Sequence, residues 1–116
     1  MYIKTTGNHI EITKSIDDYV TKRLSTLSKF VDENTVCLVE ISKTTEHRNK
    51  GDIYKAEAVI KSKDIFVVSE KSDIYQAVDD MREELEKILS SQKGKKETLF
   101  KRGAQKIKNI LKGFKN

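Results

Sequence analysis

Apolar residues between positions 16 and 31 fall at Ile16, Val20, Leu24, Leu27 and Val31, a helical spacing that places them on one stripe. Ahead of this stripe, Tyr2 to Thr6 is short and β-prone, Gly7-Asn8 signals a turn, and His9 to Ile12 alternates briefly. Thr13 or Ser15 can cap the helix. Ser15 with Asp18 fits a loose capping box, and Asp17 and Asp18 stand in the first turn, where the helix dipole favours acids. The helix should end between Phe30 and Asp32, leaving Asp32-Glu33-Asn34 as the connection.

The period then changes from helical to alternating. Val36 to Lys43 puts Cys37, Val39 and Ile41 on one face, and Ile53 to Lys61 puts Tyr54, Ala56, Ala58 and Ile60 on one face. The polar stretch Thr44 to Asp52 between them reads as a hairpin loop. Ser62-Lys63-Asp64 connects tightly to a further strand, Ile65 to Glu70, so three successive runs imply an antiparallel meander. Ser72 is the expected cap of a second helix from Asp73 to Gln92, with Ile74, Ala77, Val78, Met81, Leu85, Ile88 and Leu89 as its stripe. Gly94 is its expected stop. The order β-α-β-β-β-α predicts an α+β, two-layer sandwich with both helices on one face of a four-stranded sheet.

Past a Lys-rich linker, Phe100, Ala104, Ile107, Leu111 and Phe114 recur at helical spacing amid lysines, a basic amphipathic segment barely long enough to be helical alone in water. The chain thus divides into a domain at 1–92 and a linker with an amphipathic tail at 93–116. Charge sharpens the division. The whole chain carries +5, but residues 93–116 hold nine Lys and Arg against one Glu, whereas residues 1–92 hold 14 bases and 17 acids. Such asymmetry points to nucleic acid or an anionic surface as partner, chiefly for Lys93, Lys95, Lys96, Lys101 and Arg102.

Other chemistry is thinly represented. His9 and His47 have no Cys or His at a ligand-like spacing, the five glycines form no phosphate-binding motif, and Cys37 sits on a strand, where a buried inert thiol is expected. The expectation is a protein that is not an enzyme and needs no metal or cofactor. One cysteine cannot form an internal disulfide, the longest apolar runs span four residues, and no signal segment follows Met1, which together predict a cytoplasmic, soluble protein.

On the first helix, stepping about 100° per residue from Val20 puts Lys22, Arg23 and Lys29 on one flank with Tyr19, Thr26 and Phe30. A basic edge beside aromatics suits phosphate contact with sugar or base stacking. The second helix is poorer, because Arg82 and Lys87 stand among Asp80, Glu83, Glu84 and Glu86. Glu83–Lys87 and Arg82–Glu86 are expected pairs four residues apart.

Two blocks carry a resemblance. Thr5-Thr6-Gly7-Asn8-His9-Ile10-Glu11-Ile12-Thr13 resembles the start of the ribosome hibernation-promoting factors, also called ribosome-associated inhibitor A or sigma-54 modulation proteins. Ser72-Asp73-Ile74-Tyr75-Gln76-Ala77-Val78-Asp79 resembles that family's opening of the second helix, and the likeness extends over residues 1 to about 96. It implies a non-enzymatic protein lodged in the cleft of the small ribosomal subunit, across the paths of messenger and transfer RNA, holding ribosomes idle in stress or stationary phase. It also implies RNA contacts for Arg23, Lys29, Lys87, Lys95 and Tyr75, which match family positions, while Thr26, Glu84 and Ser91 stand where the family commonly has Lys.

Alternatives from the residues alone are a general double-stranded-RNA-binding module, and a domain whose basic tail docks on a membrane surface or protein. Against the first, such modules open with a helix and have three strands. For the tail, pairing between two chains would give weak self-association, and no membrane partner is expected for the domain.

Overall fold

The computed structural model describes residues 1–44 and 51–102, with side chains as far as Ser91. Four strands and two helices follow in order: β1 (Tyr2–Asn8), α1 (Lys14–Ser25), β2 (Val36–Thr44), β3 (Ile53–Ile60), β4 (Ile65–Lys71) and α2 (Ile74–Arg102). The strands lie in sequence order across the sheet, β1 parallel to β2 and the remaining pairs antiparallel. A parallel neighbour requires a crossover, and α1 supplies it. The strand that opens the fold and the count of four separate this chain from the double-stranded-RNA-binding module.

Register aligns one row per strand beneath the helices. Val39 faces Ala58, which faces Val67, and Ile41 faces Ala56, which faces Ser69. Cys37, Val39, Ile41, Ala56, Ala58, Ile60, Ile65 and Val67 are buried against Val20, Leu24 and Leu27 below α1 and Ile74, Ala77, Val78, Met81, Leu85 and Leu89 of α2. The expected stripes are therefore the core, with Ile16, Val31 and Ile88 at its margin. The two alanines of β3 leave room for α2 to sit close over the sheet's far half. Ser69, buried among them, donates to Asp80 at 2.7 Å and so satisfies its hydroxyl. The opposite face is uncovered and keeps Tyr2, Val36, Leu38 and Val68 exposed.

Several element ends differ from expectation. Gly7-Asn8 is not a turn but the end of β1, because both residues pair with Ile41 and Ser42 of β2. Thr13 caps α1 by accepting from the Ile16 amide at 3.2 Å, so the Ser15–Asp18 box is unused and Asp18 instead pairs with Lys14 at 3.0 Å. The helix ends at Ser25, not between Phe30 and Asp32. Hydroxyls of Ser25, Thr26 and Ser28 bond back to the carbonyls of Thr21, Arg23 and Ser25, and the chain tightens into a 3₁₀ turn at Ser28–Phe30 that keeps Leu27 buried. Asp73, not Ser72, caps α2, its carboxylate accepting from the Tyr75 amide at 3.1 Å and its carbonyl from the Ala77 amide at 3.0 Å.

The two remaining differences lie further along. The last strand of the meander is entered through a 3₁₀ turn at Lys61–Lys63 with Asp64 left-handed at φ 56°, which shortens β3 to Ile60. Gly94 does not stop α2, which continues to Arg102. One interior glycine costs a helix about 1 kcal/mol relative to alanine, and the good helix formers Lys, Glu and Leu on either side offset it. Much of the expected hairpin loop (45–50) and the tail from 103 onward lie outside the described residues.

Gly7 has a specific reason. A Cβ there would overlap the Ile10 carbonyl and crowd the Ile12 side chain, where the chain folds back past the end of β1.

Candidate nucleic-acid interface

The two helices run side by side in the same direction, and polar residues along their common edge meet in rungs. Tyr19 stacks edge-to-face on Tyr75 with ring centroids 4.9 Å apart. Arg23 Nε donates to Asp79 Oδ1 at 2.9 Å, and Arg82 Nε donates to Thr26 Oγ1 at 3.0 Å. Each partner lies 56 residues further along the chain, as expected when two parallel helices share one 3.6-residue period. A diagonal closes the first two rungs: the Tyr19 hydroxyl donates to the same Asp79 Oδ1 at 2.6 Å. This bond stabilises the neutral phenol and raises the Tyr19 pKa above its usual value of 10.0.

The residues expected from the sequence divide sharply, and only Arg23, Tyr75 and Arg82 make contacts across this edge. Lys22 and Lys29 are exposed and carry no ion pair among the described residues; Lys29 lies 5.4 Å from the centroid of the Phe30 ring. Arg23 is half-buried and shares Asp79, and Tyr75 is 39% exposed against Tyr19. Arg82 is different: only 12% of its side chain is accessible, and besides Thr26 it binds Glu83 at 3.1 Å and Glu86 at 2.5 Å. Lys87 is exposed and sits 3.5 Å from Glu84, not paired with Glu83 as the spacing predicts. Lys93, Lys95, Lys96, Lys101 and Arg102 all lie on the C-terminal part of α2. They are therefore carried by a continuous helix and not by a linker.

The sequence alone does not reveal Asp79 as the partner shared by Tyr19 and Arg23. Tyr19 was grouped with Arg23 on one flank, but pairing across 56 residues depends on the two helices being parallel. The matching spacings Tyr19–Arg23–Thr26 and Tyr75–Asp79–Arg82 were the available signal.

Elsewhere there is little built for chemistry. Among the described residues no group of three His, Cys, Asp or Glu is placed to hold a metal ion, and no helix is long and apolar enough to cross a membrane. Cys37 is buried, and burial pushes its thiol up to about 12. A shallow hollow of about 250 Å³ on the uncovered sheet face is lined mostly by Val36, Leu38 and Val59, with Lys61 at its rim.

Comparison with known proteins gives a consistent result. The chain is 31% identical over 97 residues to a ribosome hibernation promoting factor of Klebsiella oxytoca, covering 82% of this chain and 96% of that protein. A ribosome hibernation promoting factor of Pseudomonas putida is 27% identical over 104 residues, covering 90% and 98%. Among solved structures, the N-terminal domain of Thermus thermophilus Protein Y superposes with a TM-score of 0.61 at 27% identity, covering 77% of this chain and 96% of that domain. A ribosomal subunit interface protein from Coxiella burnetii shares the fold with a TM-score of 0.62 at 23% identity, covering 82% and 100%. The family model described as sigma 54 modulation protein / S30EA ribosomal protein matches residues 3–97, which takes in the whole sheet, α1 and most of α2, and the chain belongs to that family.

Proposed function

We propose that this protein is a cytoplasmic ribosome hibernation factor that binds the small ribosomal subunit in the cleft used by messenger and transfer RNA and represses translation by occupancy. No chemistry is required of it. The observation that carries this reading is the set of bases on and just after α1, exposed Lys22 and Lys29 and half-buried Arg23, with Tyr75 packed on Tyr19 one turn before Arg23, in a chain whose relatives are named for ribosome hibernation. Side chains of this kind on a rigid helix bind RNA by shape, phosphate contact and stacking. The helix that carries Tyr75 continues through the basic run from Lys93 to Arg102. Arg82 contributes little, because its charge is held by Glu83 and Glu86 and its side chain is nearly covered. Lys87, exposed beside Glu84, contributes in part.

Sedimentation with purified small and large subunits through sucrose, over a series of salt concentrations, tests the proposal. Co-migration with the small subunit, weakening steeply as salt rises, is the expected result. Equal binding to any long duplex RNA, or no binding to subunits at low ionic strength, would reject it.

A further inference from the structure

The proposal concerns how the α1 edge is made into a receptor, and it rests on the RNA-binding reading above. Asp79 is an odd residue to find there. A carboxylate set against Arg23 repels phosphate, and simple electrostatics would have it weaken binding to any polyanion. Its hydrogen bonds say more than its charge. One oxygen, Oδ1, accepts from both Tyr19 Oη and Arg23 Nε. An arginine side chain offers five N–H donors in a planar fork. Asp79 takes the single donor at the base of the fork. The four N–H groups on the two terminal nitrogens have no hydrogen bond among the described residues, and 34% of the side chain remains open to solvent. A guanidinium held by its Nε has lost most of its rotamer freedom before any ligand arrives, and its free edge matches the two-oxygen face of a phosphate. The carboxylate in turn is fixed by Tyr19, which packs on Tyr75, so the rung is braced from both helices.

We infer that Asp79 is a positioning residue of the RNA-binding surface: it fixes the Arg23 guanidinium as a two-pronged receptor for one RNA phosphate. The contact needs the fork's orientation as well as its charge. The pair is about half exposed, so water screens the Asp79 charge while the hydrogen bond still sets the geometry.

The sign of the effect makes the inference testable, since Asp79→Ala adds one net positive charge and is nevertheless expected to weaken binding. In small-subunit sedimentation with the full chain, Asp79→Ala should bind about fivefold to tenfold more weakly. Its plot of log affinity against log salt should be shallower by about 0.7 to 0.9, the loss of one phosphate contact. Asp79→Asn keeps an acceptor oxygen for Nε and should recover most of the affinity. Added to Arg23→Ala, Asp79→Ala should change nothing further. Arg23→Lys keeps the charge, disturbs no core residue and lacks the fork, so it should bind nearly as weakly as Arg23→Ala. Three results would overturn the inference: Asp79→Ala binding as tightly as the parent or more tightly, an equal loss from Asp79→Ala in the Arg23→Ala background, or Arg23→Lys binding like the parent. If the parent chain itself fails to bind the small subunit, the ribosome reading falls; a parent that binds while these variants do not differ removes only the role of Asp79.

Discussion

Lys22 on α1 and Lys29 in the 3₁₀ turn that follows it stand exposed with no ion pair among the described residues; on α2, Arg82 is nearly covered and answers to two glutamates and a threonine. Both helices are amphipathic, and both carry bases. The difference is which base each neighbouring acid takes. Glu86 follows Arg82 by one helical turn and Glu83 adjoins it, so a local ion pair forms whatever else the helix does. On α1, Asp18 stands one turn before Lys22, yet it pairs with Lys14 on its other side at 3.0 Å and leaves Lys22 open. A cation counted in a sequence becomes surface potential only where no neighbour on its own helix has already taken it. The sequence already reads the second helix as the poorer one, with Glu84 and Ser91 where the family commonly has Lys, and the pairing of Arg82 agrees with that reading.

The largest effect should come from that distal part. A chain ending at Gln92 keeps every core residue buried among the described residues, Leu89 included, and should fold. If residues beyond it neutralise about five phosphates, its log–log salt slope on the small subunit should be shallower by about 4, and an unchanged slope would show that the basic run makes no contact. Next comes the α1 edge. Lys22→Gln with Lys29→Gln should flatten the slope by about 1.5 while leaving stability within about 0.5 kcal/mol, because both side chains are solvated. Arg82→Gln should behave in the opposite way. It should cost about 1 kcal/mol of folding stability by chemical denaturation, through the lost hydrogen bond to Thr26 across the helices and the lost pair with Glu86 along α2, with the salt slope retained.

The smallest effect is a pH dependence. The Asp79 hydrogen bond raises the Tyr19 phenol above its unfolded value of 10.0. Its contribution is therefore complete below about pH 10 and is lost as the pH climbs through the raised folded value. Tyr19→Phe should cost about 1 kcal/mol at pH 7, and the gap from the parent should close in strongly alkaline buffer. Denaturation midpoints of the two proteins across that range measure it; a gap constant with pH would mean that the ring packing on Tyr75, and not the hydroxyl, carries the contribution.

These contrasts also mark what a single sequence can and cannot convey. Burial follows from periodicity, so Val20, Leu24 and Leu27, the alternate residues of β2 and β3, and the stripe of α2 were legible before any coordinates. Element ends were less so, because they turn on which of several hydroxyls or carboxylates wins a backbone amide: Thr13 over Ser15, Asp73 over Ser72. Gly94 shows the same limit, since one unfavourable residue is outvoted by its neighbours within a helix. At the interface, the local pair Arg82–Glu86 was readable four residues apart, whereas Arg23–Asp79 was not. That pair exists only because β1 lies parallel to β2 and the two helices consequently run in the same direction over the sheet.

The most direct test sets Lys22→Gln/Lys29→Gln beside Arg82→Gln in small-subunit sedimentation from low to moderate salt. A slope reduced by about 1.5 for the α1 variant, with the Arg82 variant parallel to the parent, is the predicted outcome. Parallel lines for the α1 variant, or a slope reduced only by Arg82→Gln, would contradict the assignment of the RNA-gripping edge to α1.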